Sequence, residues 1–218
     1  AAVSAACLAA HFAFWITSLE HTSVASSVII VTANPILVAI GARLLLREAA
    51  SPSVMVGIGM ALFGGLVITV GDWGLGDRRL YGDSLAFLGA VAVAGYYIAG
   101  RSLRERLSLF GYIAPVYGGA AAILLVVVAF TGTAMTGFSL ETYGYVALVG
   151  VLPQLVGHSS LNWSLGYLPV TLVATAVMAE PVGATLLAWV VLNEAPPVAT
   201  VAGGTLVLSG VYVALRGR

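Results

Sequence analysis

Read for its apolar runs, the chain falls into eight hydrophobic stretches, near residues 1–18, 23–46, 53–71, 82–100, 109–131, 142–164, 169–192 and 197–215. A helix needs roughly 20 such residues to cross the hydrocarbon of a bilayer. The pattern therefore predicts an all-α polytopic membrane protein with eight transmembrane helices. Breaker residues punctuate them at Ser51-Pro52, the Gly71–Gly82 stretch, Gly132 to Gly137, Pro169 and Pro196-Pro197. No soluble domain, linker or low-complexity tail stands out.

Within these stretches the polar and special positions recur. Ser18 to Val67 aligns without a gap on Ser164 to Val213, 146 positions later, pairing Leu19 with Leu165, Pro35 with Pro181, Glu48 with Glu194, Gly57 with Gly203 and Gly64 with Gly210. Matches such as Val31/Val177 are cheap in so apolar a chain, whereas repeated Pro, Glu and Gly are not. A period of 146 ending at Arg218 begins near Trp73 and holds five of the eight stretches. Residues 73–218 then form one five-helix unit, and residues 1–72 the last three helices of another. On this reading two helices precede Ala1, the start is truncated and the whole protein has ten. Five is odd, so the second unit enters the membrane the opposite way from the first, which makes an inverted-topology repeat. A complete eight-span protein with a partial duplication is the less economical alternative.

Composition narrows the class further. With 60% hydrophobic and 8% charged residues, the chain lacks the polar cover that a water-soluble domain of this length requires. Nine arginines balance nine acids and there is no lysine, which leaves no basic face for nucleic acid. Counted by alternate loops, Arg43, Arg47, Arg101, Arg104, Arg106, Arg216 and Arg218 fall on one side and Arg78 and Arg79 on the other. The richer side is assigned to the cytoplasm, with both chain ends there and the body in the plasma (inner) membrane. Cys7 reads as a small buried thiol.

The chemistry concentrates at mid-span. Pro35 and Pro181 each withhold the N–H that the carbonyl four residues earlier would have bonded, so each breaks its helix near the membrane centre. Such breaks are tolerated where they face protein or a water-filled cavity. Glu180 precedes the second proline and Asn34 the first. An ionisable residue at this depth is a functional candidate, either a site for a substrate amine or proton, or a protonated carboxyl holding the kink through the freed backbone, Thr175 or Thr185. Gln154, His158 and Asn162 form an i, i+4, i+8 polar stripe. His11 and Trp15 pair at i, i+4, with Ser4 and Ser18 near the same face, and Ser27, Asn34 and Gly41 align at seven-residue intervals. Tyr96 and Tyr97 join either the wall of the resulting cavity or the interfacial belt, and Trp189 reads as belt. The competing reading makes the polar faces interhelical glue. Glu48 and Glu194 read as helix-end caps, Glu48 with Arg43 and Arg47 nearby, and the paired glycines as flat packing faces.

Enzyme and cofactor signatures are weak. Gly157-His158-Ser159-Ser160-Leu161 begins like a nucleophile elbow but ends in Leu, without a strand before it. There is no HExxH, no second cysteine and no phosphate loop with a lysine, so neither a metal nor a cofactor is expected.

At these residues the chain resembles the EamA-type members of the drug/metabolite transporter superfamily. The run His11-Phe-Ala-Phe-Trp15, Thr22-Ser-Val-Ala25, Asn34-Pro35 and Arg47-Glu48 resembles the family's third to fifth helices. Gly157-His158, Asn162-Trp163, Tyr167-Leu-Pro169, Glu180-Pro181, Asn193-Glu194 and Gly203 to Gly210 resemble its eighth to tenth. The resemblance implies ten helices in two inverted five-helix repeats, cytoplasmic termini, and movement of small metabolites or amino acids, usually outward, through a central cavity. Asn34 departs from the Glu that the family often has before the first proline.

The sequence thus points to a secondary transporter working by alternating access. Its substrate-binding candidates are His11, Trp15, Asn34, Tyr96, Gln154, His158, Asn162 and Glu180, with Pro35 and Pro181 as helix breaks. Its partners are a small molecule, the lipid bilayer and, if Glu180 titrates, protons; the sequence leaves the oligomeric state open. An intramembrane enzyme using His158 with Ser159 or Glu180, and a non-transporting membrane subunit, are the rival classes.

Overall fold

The computed structural model describes residues 1–69, 77–193 and 195–216, and every described element is helical. In chain order these are α1 (Ala2–Ser18), α2 (Val24–Thr32), α3 (Asn34–Gly41), α4 (Pro52–Thr69), α5 (Asp77–Arg104), α6 (Leu109–Thr131), α7 (Leu140–Val149), α8 (Ser159–Ser164), α9 (Val170–Val177), α10 (Glu180–Leu192) and α11 (Val198–Arg216). Five segments are long and apolar enough to cross a membrane: Ser26–Leu46, Leu80–Arg104, Leu109–Thr131, Val170–Leu187 and Val198–Arg216. Ala2–Ser18 and Pro52–Ile68 are shorter apolar helices. Glu194, Trp73, Arg218 and the division between residues 72 and 73 lie outside the described residues.

Both mid-span prolines end a helix and start another. The stretch expected at 23–46 becomes α2 and α3, separated at Ala33, and the stretch at 169–192 becomes α9 and α10, separated at Met178 and Ala179. In each case proline occupies the second position of the new helix, where its missing N–H is not needed. The stretch at 142–164 is interrupted differently. Gly150–His158, with Pro153 inside it, winds as a wider π-helix between α7 and α8. Ala42–Leu46, which follows α3, has the same wide winding and ends at Arg47 with φ of 60°. The other described non-glycine residue with positive φ is Asn193, at 56°. It stands 146 positions after Arg47, so the two equivalent helices end in the same left-handed turn.

The glycine pairs explain how α4 and α11 pack. A Cβ placed on Gly57 would lie 2.4 Å from the Gly210 carbonyl oxygen, and one on Gly64 2.5 Å from that of Gly203. Low numbers on one helix meet high numbers on the other, so α4 and α11 run antiparallel with their backbones in contact. Equivalent positions also exchange partners, because 57 matches 203 in sequence but touches 210. This is the contact pattern of two copies of a surface related by a two-fold axis.

Charged ends hold the half-helices. Glu48 Oε1 accepts from Arg101 Nε at 2.7 Å, and Glu48 Oε2 accepts from the backbone N–H of Val170, the first residue of α9, at 3.2 Å. The expected end-cap role is thus filled on another helix, and the partner is Arg101 rather than Arg43 or Arg47. Arg101 also donates to the Leu165 carbonyl at 3.0 Å. Arg104, buried, donates to the carbonyls of Asn162 and Leu107. α5 runs beyond the expected 82–100 at both ends, and at its C-terminal end each guanidinium donates to backbone carbonyls outside the helix.

Replacing Gly64 by Val should lower the melting temperature of the detergent-purified protein, since overpacking costs about 1–3 kcal/mol. Gly59→Val is the control, because nothing lies within 4 Å of a Cβ there. Equal melting temperatures for the two variants would refute the close α4–α11 contact.

Candidate functional site

Broken helices from both parts of the chain meet around a cavity of about 510 Å³. Its wall is His11 and Trp15 of α1; Val28, Val31 and Thr32 of α2; Asn34 of α3; Val93 and Tyr97 of α5; Pro153, Gly157, His158 and Leu161; Ala176 and Val177 of α9; and Glu180 and Pro181 of α10. The volume lies in the range of small-molecule sites, which are mostly apolar with a few placed polar groups.

The two breaks meet here with different chemistry. Pro35 has no N–H for the carbonyl of Val31, and Asn34 Nδ2 donates to that oxygen at 2.9 Å instead. At the equivalent break Pro181 withholds an N–H from Val177, and the residue in Asn34's place is Glu180. An ionised carboxyl has no donor to offer. Glu180 makes no hydrogen bond among the described residues and is exposed to the cavity. Among the described residues no bond joins Glu180 to the Val177 carbonyl, Thr175 or Thr185. Thr175 donates to the Thr171 carbonyl and Thr185 to that of Pro181.

Aromatic rings build the rest. His11 and Trp15 stack with centroids 5.6 Å apart and planes 13° from parallel. His11 Nδ1 donates to the Gly89 carbonyl at 3.0 Å, which leaves Nε2 of the neutral ring as an acceptor. His158 lies edge-on to Phe12 at 5.7 Å and near Tyr96 at 6.0 Å. Four buried polar atoms at this wall have no partner: Trp15 Nε1, Asn34 Oδ1, His158 Nδ1 and, one turn away, Gln154 Oε1.

Of the residues singled out in the sequence, His11, Trp15, Asn34, His158, Glu180 and Pro181 line the cavity, while Tyr96, Gln154, Asn162 and Pro35 do not. Asn162 is fully buried behind the wall and donates through Nδ2 to Tyr96 Oη at 2.5 Å and Tyr117 Oη at 3.0 Å. It organises two tyrosines that support the cavity. Gln154 leaves the stripe because the π winding no longer stacks i and i+4 above one another. Ser4 bonds Tyr112 and Ser18 bonds Ser27, each at 2.6 Å, while Gly41 packs against Ile98. These small residues are packing contacts, and Trp189 is exposed on the outer surface.

Tyr97, named with Tyr96 as belonging to either wall or belt, lines the cavity, while Thr32 and the apolar positions of α2 and α9 were not singled out as site residues. The 146-residue offset carries the missing signal. Val31 and Val177, and Asn34 and Glu180, are equivalent pairs of the repeated segments, and both members of each line the cavity. The Val31/Val177 match, uninformative by composition, is thus part of the wall.

A family model described as the EamA-like transporter family matches residues 80–216, more than half of the chain. The chain belongs to the EamA-like transporter family. With five helices able to cross a bilayer, this EamA-like chain is a multi-pass membrane protein. An uncharacterized transporter of Archaeoglobus fulgidus is 29% identical over 192 residues, covering 87% of this chain and 67% of that protein. The uncharacterized transporter YdfC of Bacillus subtilis is 21% identical over 206 residues, covering 92% of this chain and 66% of that protein. The EamA-like chain therefore spans about two thirds of the length of these relatives. A solved crystal structure is similar at a TM-score of 0.81 and 23% identity, covering 99% of this chain and 76% of that one. At that identity the likeness shows the fold alone. Among the described residues no cluster of His, Cys, Asp and Glu could hold a metal ion.

Asn162→Leu should destabilise the protein by about 1–3 kcal/mol, chiefly through the Tyr96 hydroxyl left without its partner, since Tyr117 Oη still has Ser159 Oγ at 3.3 Å. Thermal unfolding in detergent measures this, and an unchanged melting temperature would exclude the supporting role.

Proposed function

We propose that the protein is a secondary-active transporter that moves small metabolites or amino acids, in the outward direction, by alternating access through the cavity between its two broken helices. On this reading residues 1–72 and 73–218 belong to two inverted repeats, the eight apolar stretches all span the plasma membrane, and both ends of the chain are cytoplasmic. The observation that carries the reading is the cavity wall itself. Two pairs from the repeated segments, Val31 with Val177 and Asn34 with Glu180, contribute to it, and the swapped contacts of Gly57 with Gly210 and Gly64 with Gly203 are consistent with a two-fold relation between the segments. Inverted repeats that meet at mid-membrane on discontinuous helices are the architecture of alternating access.

Two carboxylates tie the half-helices at opposite ends of the bundle. Asp83 Oδ1 accepts from Thr22 Oγ1 at 2.7 Å and Ser26 Oγ at 2.9 Å, at the start of α2. Glu48 does the same for α9, which is α2's sequence equivalent. Each tie joins residues 1–72 to residues 73–218. Exposing the cavity to one side and then the other requires releasing them in turn, and neither step calls for ATP. The driving force is a proton gradient acting through Glu180 or the substrate gradient itself.

Proteoliposomes loaded with a metabolite and amino-acid panel test the reading, with Glu180→Gln as the site variant. We expect counterflow of at least one compound by the parent protein and about a tenfold or larger loss in the variant. Product formation without a gradient would indicate an enzyme instead, and no movement of any compound a non-transporting subunit. Cysteines at positions 48 and 101, joined by a reducible bifunctional thiol reagent, should block counterflow until reductant is added. Undiminished counterflow in the joined protein would exclude opening at the Glu48–Arg101 end.

A further inference from the structure

We propose that the cavity selects a monocation, a protonated amine or quaternary ammonium group on an apolar or aromatic body, with the Glu180 carboxylate as its counter-ion. The inference rests on the transport reading for its biological meaning and narrows the substrate class within it.

Among the described lining residues Glu180 is the one acid, and there is no arginine. A charge entering a low-dielectric site must be paired there or leave its hydration uncompensated. A ligand ammonium has that partner in Glu180, whereas a ligand carboxylate or phosphate meets no guanidinium. The neutral groups bias the site in the same direction. His11 keeps Nε2 as an acceptor because Nδ1 is committed to Gly89, and Asn34 Oδ1 is an unpartnered acceptor. Beside them Trp15 Nε1 is an unpartnered donor, and His158 Nδ1, also unpartnered, donates or accepts according to its tautomer. Trp15 and Tyr97 add aromatic rings to the lining, a side-chain type whose π system attracts an ammonium group.

The repeat explains why Glu180 is available. Its equivalent, Asn34, uses its side-chain donor to close the first break. A carboxylate at the second break has no such donor, so it turns to the cavity instead of the backbone. The class that follows differs from an amino-acid zwitterion, whose second charge would stay unpaired.

Titration of the purified protein in lipid nanodiscs with phenethylamine, phenylalanine and phenylacetate tests this, because the three share one aromatic body and differ in charge. Phenethylamine should bind at least about tenfold more tightly than either acid. Glu180→Gln, which is isosteric, should lose about tenfold or more in phenethylamine affinity, and Glu180→Asp should retain most of it. Melting temperatures equal to the parent's establish that both variants are folded. Phenylalanine binding as tight as the amine, full amine affinity in Glu180→Gln, or no amine binding would each overturn the proposal. The two readings fail separately. An amine bound through Glu180 but never moved in proteoliposomes refutes transport and leaves the cation site standing. An amino acid moved by a protein that binds no amine refutes the cation site and leaves transport standing.

Discussion

In a helix surrounded by lipid every backbone carbonyl needs a partner within the protein, because no water is there to supply one. Pro35 and Pro181 each remove such a partner at mid-span, and the consequences organise the molecule. The helices stop and restart at Ala33 and at Met178-Ala179. The breaks face each other across a space rather than facing lipid, and polar side chains gather where the backbone is interrupted. Asn34 repairs its break with an amide N–H. Glu180 stands in the same position without that ability when ionised, and the difference of one side chain leaves one break bonded and sets a carboxyl on the cavity wall at the other.

Packing then has to hold two interrupted helices at a fixed separation. The glycine faces do this at the outside of the bundle, where α4 and α11 approach backbone to backbone without side chains between them. Close approach of this kind replaces the hydrophobic driving force that is missing between helices in lipid. On the inside, a buried cluster including Leu8, Val38, Tyr96, Tyr112, Val116, Leu165 and Val170 packs α1, α3, α5, α6 and α9 together. The Asn162–Tyr96–Tyr117 bonds add a polar link through it, so the cavity wall is backed by close packing and by paired hydroxyls.

Much of this was legible in the sequence, for identifiable reasons. Proline acts through its own covalent geometry, and glycine through an absent side chain, so their positions carry meaning without knowledge of neighbours. The breaks at Pro35 and Pro181 and the glycine contacts follow directly from them. Glu180 was legible because a charge at that depth has few roles. Asn162 and Gln154 were misplaced for a different reason. Gln154 and His158 share a face only if the winding between them is α-helical, and the π segment around Pro153 changes it, whereas Asn162, in the α-helical turn after His158, is held behind the wall by Tyr96 and Tyr117. The Glu48–Arg101 and Asp83–Thr22 contacts join residues more than 50 positions apart, and nothing local announces them. Tyr97 replaced Tyr96 at the wall because a helix of known phase still needs a neighbour to say which of two adjacent side chains faces inward.

The placement of the acids gives the fold a mechanical logic. Among the described residues Asp83 and Glu48 act at the first turns of α2 and α9, where unpaired backbone N–H groups and the helix dipole favour a negative charge. Those two helices are sequence equivalents, and each is the half-helix that ends at a proline break. Each is therefore held at its outer end by a charged contact and left without backbone continuity at its inner end. A rigid element fixed at one end and interrupted at the other can pivot without breaking its own hydrogen bonds. On the alternating-access reading proposed above, the energy needed to move it would reside in these few polar contacts at the helix ends, where water could take over the released groups. Among the described residues that line the cavity Glu180 is the one acid, so that the same proline that interrupts the helix also sets a carboxylate on the cavity wall.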